Sequence, residues 1–231
     1  MNILIIAGHG AGDPGASGNG FYEADLTRII SEKIMKKVSE YSSVLLFPKD
    51  KNMFKHLKAG EKFDFSPFDY VLEVHFNAGI SEIRRADGNT TGTEILIHEK
   101  KTNIRVEEEI LKNMEALGFR NRGIKRRNNL QNMNVIQNRG IEYSLLEVCF
   151  IDDSDDMRIY KEKTDLIAEA VSSGIKKGFG ITEELVTVND IVWELSHRGI
   201  ITDKDLWLKK LSEDTNAYWL ARKAIKYIMN I

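Results

Sequence analysis

The sequence predicts an α/β fold with a mostly parallel sheet, followed by a small all-helical C-terminal domain. Short apolar segments alternate with segments of helical periodicity through most of the chain, and this alternation is typical of parallel strands joined by right-handed crossovers. Beyond Gly180 only the helical pattern continues, and all three tryptophans of the 231-residue chain lie in that last part. We therefore predict two domains, residues 1–181 and residues 186–231.

Each predicted strand is a short apolar run that ends at a turn. Residues 3–6 read Ile-Leu-Ile-Ile and lead into a glycine-rich loop, a pattern typical of a strand that helices cover on both faces. Residues 43–47 form a second such run, which ends at Pro48. Further apolar runs predict strands at residues 69–76, 93–98 and 143–150.

Apolar residues at three- and four-residue steps predict the helices. The clearest case is residues 23–41, where Leu26, Ile30 and Ile34 recur at such steps. Further helices are predicted at residues 52–62, 102–117 and 161–177, and in the C-terminal domain at residues 189–196, 203–211 and 215–229. A C-terminal unit of roughly 45 residues is marginally stable alone, so we expect it to dock on a partner or to self-associate.

The composition excludes several classes of protein. A net charge of −2 argues against a general nucleic-acid-binding protein, which usually carries a basic excess. The one cysteine, Cys149, excludes an internal disulfide. No segment reaches the stretch of about 20 apolar residues needed for membrane insertion. Because the first residues lack the basic segment and long apolar run of a secretory signal, we expect synthesis in the cytoplasm.

Four residues of the kinds that bind metals or transfer protons occupy matching places in the predicted fold. His9 follows the first strand, Glu23 opens the first helix, and His75 lies near the end of the third strand. Glu147 lies within the last strand, between apolar neighbours. Because the carboxyl ends of the strands form the binding crevice of an open α/β sheet, we expect all four residues at or near that edge.

Each of the four also has an ordinary structural explanation. His9 could cap a loop, Glu23 complements the helix dipole in a first turn, and His75 could be a hydrogen-bonded histidine of the core. Glu147 is harder to explain in this way, since its apolar neighbours direct it into a buried space, where an unpaired carboxylate costs several kcal/mol. The joint occurrence of the four residues favours a functional site.

Two histidines and one carboxylate with an open fourth position are the ligand set of catalytic zinc in several peptidases. Zinc lowers the pKa of its bound water to about 7 and polarises the scissile carbonyl. A second carboxylate is then needed to take the proton from that water and pass it to the leaving amine. Glu147 fits this role, because an apolar environment raises the pKa of a carboxyl group toward neutrality.

A series of motifs resembles those of the type 3 N-acetylmuramoyl-L-alanine amidases. The motifs are Gly8-His9-Gly10 with Gly12-Asp13-Pro14-Gly15-Ala16, Glu23 fourteen residues after His9, His75-Phe76-Asn77-Ala78, Gly92-Thr93-Glu94 and Leu146-Glu147-Val148-Cys149-Phe150. Each motif is short, but together they follow the family's order and spacing over residues 1–180.

The resemblance implies that His9, Glu23 and His75 bind Zn²⁺ and that Glu147 is the catalytic carboxylate. It also implies a twisted sheet flanked by helices. The implied reaction is hydrolysis of the amide between N-acetylmuramic acid and L-alanine in bacterial peptidoglycan.

The missing signal and the added C-terminal domain indicate a phage endolysin, which is often made without a signal and acts at the cell wall after release. Residues 1–181 would then be the zinc amidase catalytic domain, and residues 186–231 would serve for wall targeting or for self-association into a homo-oligomer. A bacterial autolysin is the close variant, but it would normally need export. Two alternatives of other kinds remain open: a catalytically inactive module that binds wall fragments, and a zinc carboxypeptidase of different specificity. Retention of Glu147 argues against the inactive module.

One position departs from the family pattern. The family usually has Asp-Pro before the Gly-His pair, where this chain has Ile6-Ala7, so an outer carboxylate that orients His9 is not obvious. Glu73, two residues before His75, is a candidate substitute. The alternative, which we favour, is a carboxylate at the surface or paired with a helix.

Three other segments have simpler explanations. The glycines between residues 8 and 20 lack a phosphate-loop pattern and indicate backbone that passes close to a metal site and a long substrate. The basic residues at 120–127 are predicted to be a solvated loop, with contacts to stem-peptide carboxylates as the alternative. The aspartates at 152–156 lack EF-hand spacing and predict a solvated loop and a helix start.

Overall fold

A six-stranded sheet organises Met1–Ile181, the first of two units into which the chain divides, and the second unit is Thr182–Ile231. The computed structural model describes residues 1–81, 85–181, 188–214, 217, 218, 220, 221 and 224. The strands are β1 (Asn2–Ala7), β2 (Ser17–Gly18), β3 (Phe21–Tyr22), β4 (Ser43–Leu46), β5 (Tyr70–Asn77), β6 (Thr93–His98), β7 (Asn121–Arg127) and β8 (Glu142–Phe150). The helices are α1 (Glu23–Val38), α2 (Met53–Lys58), α3 (Arg105–Ala116), α4 (Gln131–Gln137), α5 (Ser154–Gly178), α6 (Val188–His197) and α7 (Lys204–Glu213).

The strand order in the large sheet is β4-β1-β5-β8-β6-β7. β1 pairs in parallel with β4 and β5, and β5 pairs in parallel with β8. β6 runs antiparallel to β8 and parallel to β7. The predicted mostly parallel sheet with flanking helices is confirmed. Because β6 and β7 run in the opposite direction, they begin at the edge of the sheet where β1, β5 and β8 end.

Helices cover both faces of the sheet, as the apolar sequence of β1 predicts. Ile3 and Ile5 pack in one apolar cluster with residues of α1, α3 and α5. Leu4 and Ile6 pack in a second cluster with residues of α2 and α4, because successive side chains of a strand point to opposite faces. Burial of each such side chain contributes about 1.5–3 kcal/mol. The loop that follows β1 therefore starts from a strongly anchored strand.

The basic segment is a strand rather than a solvated loop. Residues 121–127 form β7, which pairs with β6 at the edge of the sheet. The loop prediction was wrong because an edge strand has a neighbour on one side only and tolerates charged side chains. Helix α4 follows β7 and was not predicted, since its asparagine- and glutamine-rich sequence has only a short apolar face, Met133 and Ile136.

The aspartate-rich segment begins α5, as predicted, but it is not solvated. The Asp153 carboxylate accepts hydrogen bonds from the N–H groups of Asp155 and Asp156 and thereby caps the helix. Asp153 and Asp156 are fully buried, and Asp156 accepts hydrogen bonds from the N–H groups of Gly92 and Phe150. The helix starts at Ser154 rather than at residue 161, with non-helical backbone at Lys163.

The second unit contains α6 and α7 within the residues described there. These helices match the predicted segments 189–196 and 203–211, and the third predicted helix, 215–229, lies mostly outside the described residues. Ile191, Leu195 and Leu211 are buried between the two helices, and Trp207 packs against them. No helix among the described residues has both the length and the apolar content to span a membrane.

Candidate active site

Three of the four predicted site residues converge at one point. His9 lies in the turn after β1, Glu23 is the first residue of α1, and His75 lies near the end of β5. One side-chain nitrogen or oxygen from each of these residues lies within 4.8 Å of those of the other two. Glu147 on β8 is the register partner of His75 on β5. The strand ends therefore bring all four residues to the same edge of the sheet.

Glu23 lies between the two imidazole rings. Its Oε2 is 3.1 Å from His9 Nε2, and its Oε1 is 2.9 Å from His75 Nδ1. The N–H groups of Ala16 and Phe76 also donate hydrogen bonds to the two carboxylate oxygens. Burial alone would raise the pKa of Glu23, but the hydrogen bonds from His75 and His9 outweigh burial and hold that pKa far below its usual range. Glu23 is therefore an ionised ligand candidate beside two imidazole nitrogens.

The second ring nitrogen of each histidine faces another carboxylate. His9 Nδ1 is 3.0 Å from Asp13 Oδ2, and the Asp13 carboxylate also accepts a hydrogen bond from the Gly15 N–H. His75 Nε2 is 3.0 Å from Glu73 Oε1. Glu73 is 5% exposed, so the surface alternative was wrong, whereas the expected pairing with a helix agrees with the hydrogen bonds from Asn132 on α4. The histidine contact of Glu73 is with His75 rather than with His9. Asp13 was missed as the partner of His9, although it stands within the Gly12-Asp13-Pro14 motif.

The loop after β1 has a backbone conformation that few residues adopt. His9 itself has a φ of 60°, in the left-handed region, where a non-glycine residue is strained. Arg28 on α1 donates hydrogen bonds to the carbonyl oxygens of Gly8 and His9 and so holds the loop in place. Sequence reasoning did not identify Arg28, because an arginine in the second turn of a helix carries no signal of this contact.

Two glycines make room for the candidate ligands. A Cβ at Gly8 would lie 2.4 Å from Cε1 of His75, and a Cβ at Gly15 would lie 2.7 Å from Oε2 of Glu23. The expectation that the glycines allow backbone to pass close to the site agrees with these approaches.

We expect Gly8→Ala to displace the His75 ring, because the added methyl group overlaps it. Forcing an extra methyl into a packed site lowers the free energy of unfolding by about 1–3 kcal/mol. Denaturant unfolding of the variant measures the loss of stability, and the NMR signals of the His75 ring report its displacement. Gly12→Ala is the comparison for a methyl group that overlaps nothing, since a Cβ there meets only Lys55 Nζ at 4.0 Å and the change adds only the strain of a φ of 79°. Unchanged His75 signals in Gly8→Ala would contradict the steric role of this glycine.

Glu147 has an unusual environment for a carboxylate. Its Oε2 is buried and has no hydrogen-bond partner within the part of the chain that the structure describes. Burial, reinforced by the negative charges of Glu23 and Glu94, raises the pKa of Glu147 to about 7 although His75 lowers it. Glu94, the register partner of Glu147 on β6, is by contrast paired with Arg122 at 2.8 Å. Glu147 thus combines an unpartnered buried oxygen with a raised pKa, whereas Glu94 is paired with a cation.

A cavity of about 520 Å³ opens beside the two histidines. Residues of α2 and α4 form much of its wall, and it also reaches the loop after β1. The lining includes His9, His75, Asn52, Phe54 and Gln131. The cavity therefore offers polar amide groups and an apolar ring next to the candidate ligands.

The chain matches a protein-family model over most of its length. The family model described as N-acetylmuramoyl-L-alanine amidase matches residues 3–177. This chain belongs to the N-acetylmuramoyl-L-alanine amidase family. The family that the motifs resemble is thereby confirmed, and the matched region contains all of the six-stranded amidase sheet except Asn2, the first residue of β1.

Relatives of this amidase-family chain come from bacteria and from a phage. A probable autolysin of Staphylococcus aureus is 29% identical over 189 residues, a match that covers 75% of this chain and 38% of the autolysin. The endolysin of Bacillus phage SPP1 is 27% identical over 186 residues, covering 75% of this chain and 64% of the endolysin. The chain thus spans less than two thirds of the length of either relative.

The fold of this family member matches a solved amidase structure. The crystal structure of an N-acetylmuramoyl-L-alanine amidase from Clostridium difficile 630 aligns with a TM-score of 0.61 at 22% sequence identity. The alignment covers 79% of this chain and 98% of that one. At this identity the likeness concerns the fold alone.

Proposed function

We propose that this chain hydrolyses the amide between N-acetylmuramic acid and L-alanine in bacterial peptidoglycan, with Zn²⁺ bound by His9, Glu23 and His75. The observation that carries the proposal is the convergence of two imidazole nitrogens and a carboxylate oxygen within 4.8 Å. This donor set suits zinc, which prefers nitrogen and oxygen ligands of this kind. The membership of residues 3–177 in the amidase family supports the choice of substrate bond.

Two features of the folded chain fit a metal at this point. Gly8 and Gly15 leave the space that a methyl group would fill, immediately beside His75 and Glu23. The unpartnered Oε2 of Glu147 lies on the strand next to His75, where a buried carboxylate needs water or a ligand. When bound, zinc would supply Lewis-acid polarisation of the scissile carbonyl and would acidify the attacking water.

Glu147 is the proton carrier in this proposal. Its carboxylate accepts a proton from the attacking water, whose oxygen forms the new bond to the lactyl carbonyl carbon. As the carbon–nitrogen bond breaks, the same carboxyl group donates that proton to the leaving nitrogen of L-alanine. The raised pKa of Glu147 suits both halves of this transfer, because an efficient general acid–base group titrates near the working pH.

Product analysis on purified cell wall tests the proposed bond. We expect new N-terminal L-alanine and no new reducing ends, because an amidase separates the peptide from the sugar and leaves the glycan chain intact. Wall incubated without the protein is the control. New reducing ends would indicate a glycosidase, and release of C-terminal amino acids would favour the carboxypeptidase alternative. Binding without any product would favour the inactive wall-binding module.

We also propose that the chain acts as a phage endolysin, made in the cytoplasm and active at the wall after release. The similarity to the endolysin of Bacillus phage SPP1 supports this assignment. In this proposal residues 1–181 are the catalytic domain, and residues 186–231 provide wall targeting or self-association. Sedimentation of the full chain, with and without wall fragments, distinguishes the two roles of the C-terminal domain.

A further inference from the structure

Glu73 is the centre of a buried hydrogen-bond network next to the candidate zinc site. Its Oε1 lies 3.0 Å from His75 Nε2, and Asn132 Nδ2 donates to both carboxylate oxygens at 3.0 Å. The Tyr143 hydroxyl donates to Oε2 at 2.6 Å. Glu73 and Asn132 are each 5% exposed, and Tyr143 is fully buried. Three chain segments thus meet at one carboxylate: β5, which carries both Glu73 and His75, α4 and β8.

The network determines which nitrogen of His75 carries a proton. An ionised carboxylate only accepts hydrogen bonds, and Asn132 and Tyr143 already donate to Glu73. His75 Nε2 must therefore be the third donor. The other nitrogen, Nδ1, faces the ionised Glu23 carboxylate, so both ring nitrogens of His75 donate in the metal-free chain. A histidine that binds a metal is neutral, and Glu73 then retains the proton on Nε2 and leaves the lone pair on Nδ1. Glu73 would thus direct that lone pair to the point where the three candidate ligands converge.

Glu73 lies on the face of the sheet that α2 and α4 cover. Ile6 on β1 is the register partner of Glu73 on β5, and paired residues of neighbouring strands point to the same face of the sheet. On that face Ile6 belongs to the apolar cluster that contains Tyr143. The neighbour of Glu73 on β1 is thus apolar, and the hydrogen bonds to the Glu73 carboxylate come from Asn132 and Tyr143 and from the facing His75 ring.

We propose that Glu73, held by Asn132 and Tyr143, is the positioning residue for His75. The proposal rests on the proposed zinc site. In this role Glu73 acts through His75, by fixing the tautomer and the ring orientation of a metal ligand. Outer carboxylates of this kind raise ligand basicity, and their loss typically weakens metal binding by about 10–100-fold.

Zinc affinity is the decisive measurement. We expect Glu73→Gln to weaken zinc binding by about 10–100-fold in competition with a chromophoric chelator. Glutamine has nearly the same shape as glutamate, but it is neutral. Its NH₂ group would replace an oxygen that now accepts hydrogen bonds, and it would face donor groups of the network instead of acceptors. In ¹⁵N NMR spectra of the zinc-loaded protein, we expect the Nε2–H signal of His75 to be protected from exchange in the wild type and exposed to exchange in the variant. A residue that only filled space would leave that signal unchanged.

A pair of tyrosine variants tests the same network without altering the charge. Tyr143→Phe removes one donor to Glu73, and we expect a smaller loss of zinc affinity. Tyr70→Phe is the matched control, because Tyr70 is also fully buried but belongs to the apolar cluster on the other face of the sheet. We expect it to bind zinc as the wild type does. If Glu73→Gln does not fold, the difference in zinc affinity between Tyr143→Phe and Tyr70→Phe tests the role of Glu73.

The outcomes separate this inference from the proposed function. If the wild-type chain binds no zinc, the zinc site and the role of Glu73 are both overturned. If the wild type binds zinc and Glu73→Gln binds it equally well, with an unchanged His75 signal, only the role of Glu73 is overturned. Equal zinc affinity in Tyr143→Phe and Tyr70→Phe, with unchanged His75 signals, would likewise overturn it.

Discussion

Replacement of Glu147 with glutamine lowers the rate of amide hydrolysis by about 10²–10⁴-fold while zinc stays bound, if Glu147 carries the proton. Glutamine has nearly the same volume, so the packing of β8 is preserved. Its amide group cannot accept the proton of the attacking water, so the new bond to the carbonyl carbon forms without a base. The measurements are the turnover number on a soluble muramoyl peptide and the zinc content of the purified variant.

Glu94→Gln is the matched control for this variant. Glu94 is the register partner of Glu147 and is also buried, but its carboxylate is paired with Arg122 and accepts a hydrogen bond from Asn77. We expect a much smaller loss of turnover from this change. Loss of zinc together with activity in Glu147→Gln would mean that Glu147 is a metal ligand. Equal losses of turnover in the two variants would contradict a specific role for Glu147.

Replacement of His75 with alanine abolishes both zinc binding and hydrolysis in the proposed site. The change removes one of three ligands, and two carboxylates that face the ring, those of Glu23 and Glu73, lose a hydrogen-bond partner. Two remaining ligands are too few for a catalytic zinc site, which uses three protein ligands. Zinc content and activity on purified wall are the measurements, together with a melting curve that reports whether the variant is folded.

His56→Ala provides the control for the loss of a histidine. The His56 ring faces Glu61 at 2.7 Å and lies outside the candidate ligand set, so this variant should keep wild-type zinc content and activity. Treatment of the wild type with a chelator should reproduce the His75→Ala result, and added zinc should restore activity. A folded His75→Ala protein that retains a full equivalent of zinc would contradict the proposed ligand set.

Much of the fold could be predicted because β1 and α1 carry strong local patterns. The unbroken apolar run of β1 predicts a strand that helices cover on both faces, and α1 repeats its apolar residues at helical steps. Strand β7 and helix α4 could not be predicted in this way. The basic side chains of β7 are tolerated only because it lies at an edge, and the short apolar face of α4 becomes meaningful only against the sheet it covers.

Local sequence was sufficient to select His9, Glu23, His75 and Glu147 as the residues to test. The first three lie at or near strand or helix ends, Glu147 lies among apolar residues within the last strand, and each belongs to a short motif. Only the folded chain decided which carboxylate faces which ring. Asp13 contacts His9 within the same loop. Glu73 contacts His75 and also accepts a hydrogen bond from Tyr143, which lies 70 residues after Glu73 in the sequence. Such pairings follow from strand order, register and the packing of α4 against the sheet, which are properties of long-range contacts and leave no periodic trace in the sequence.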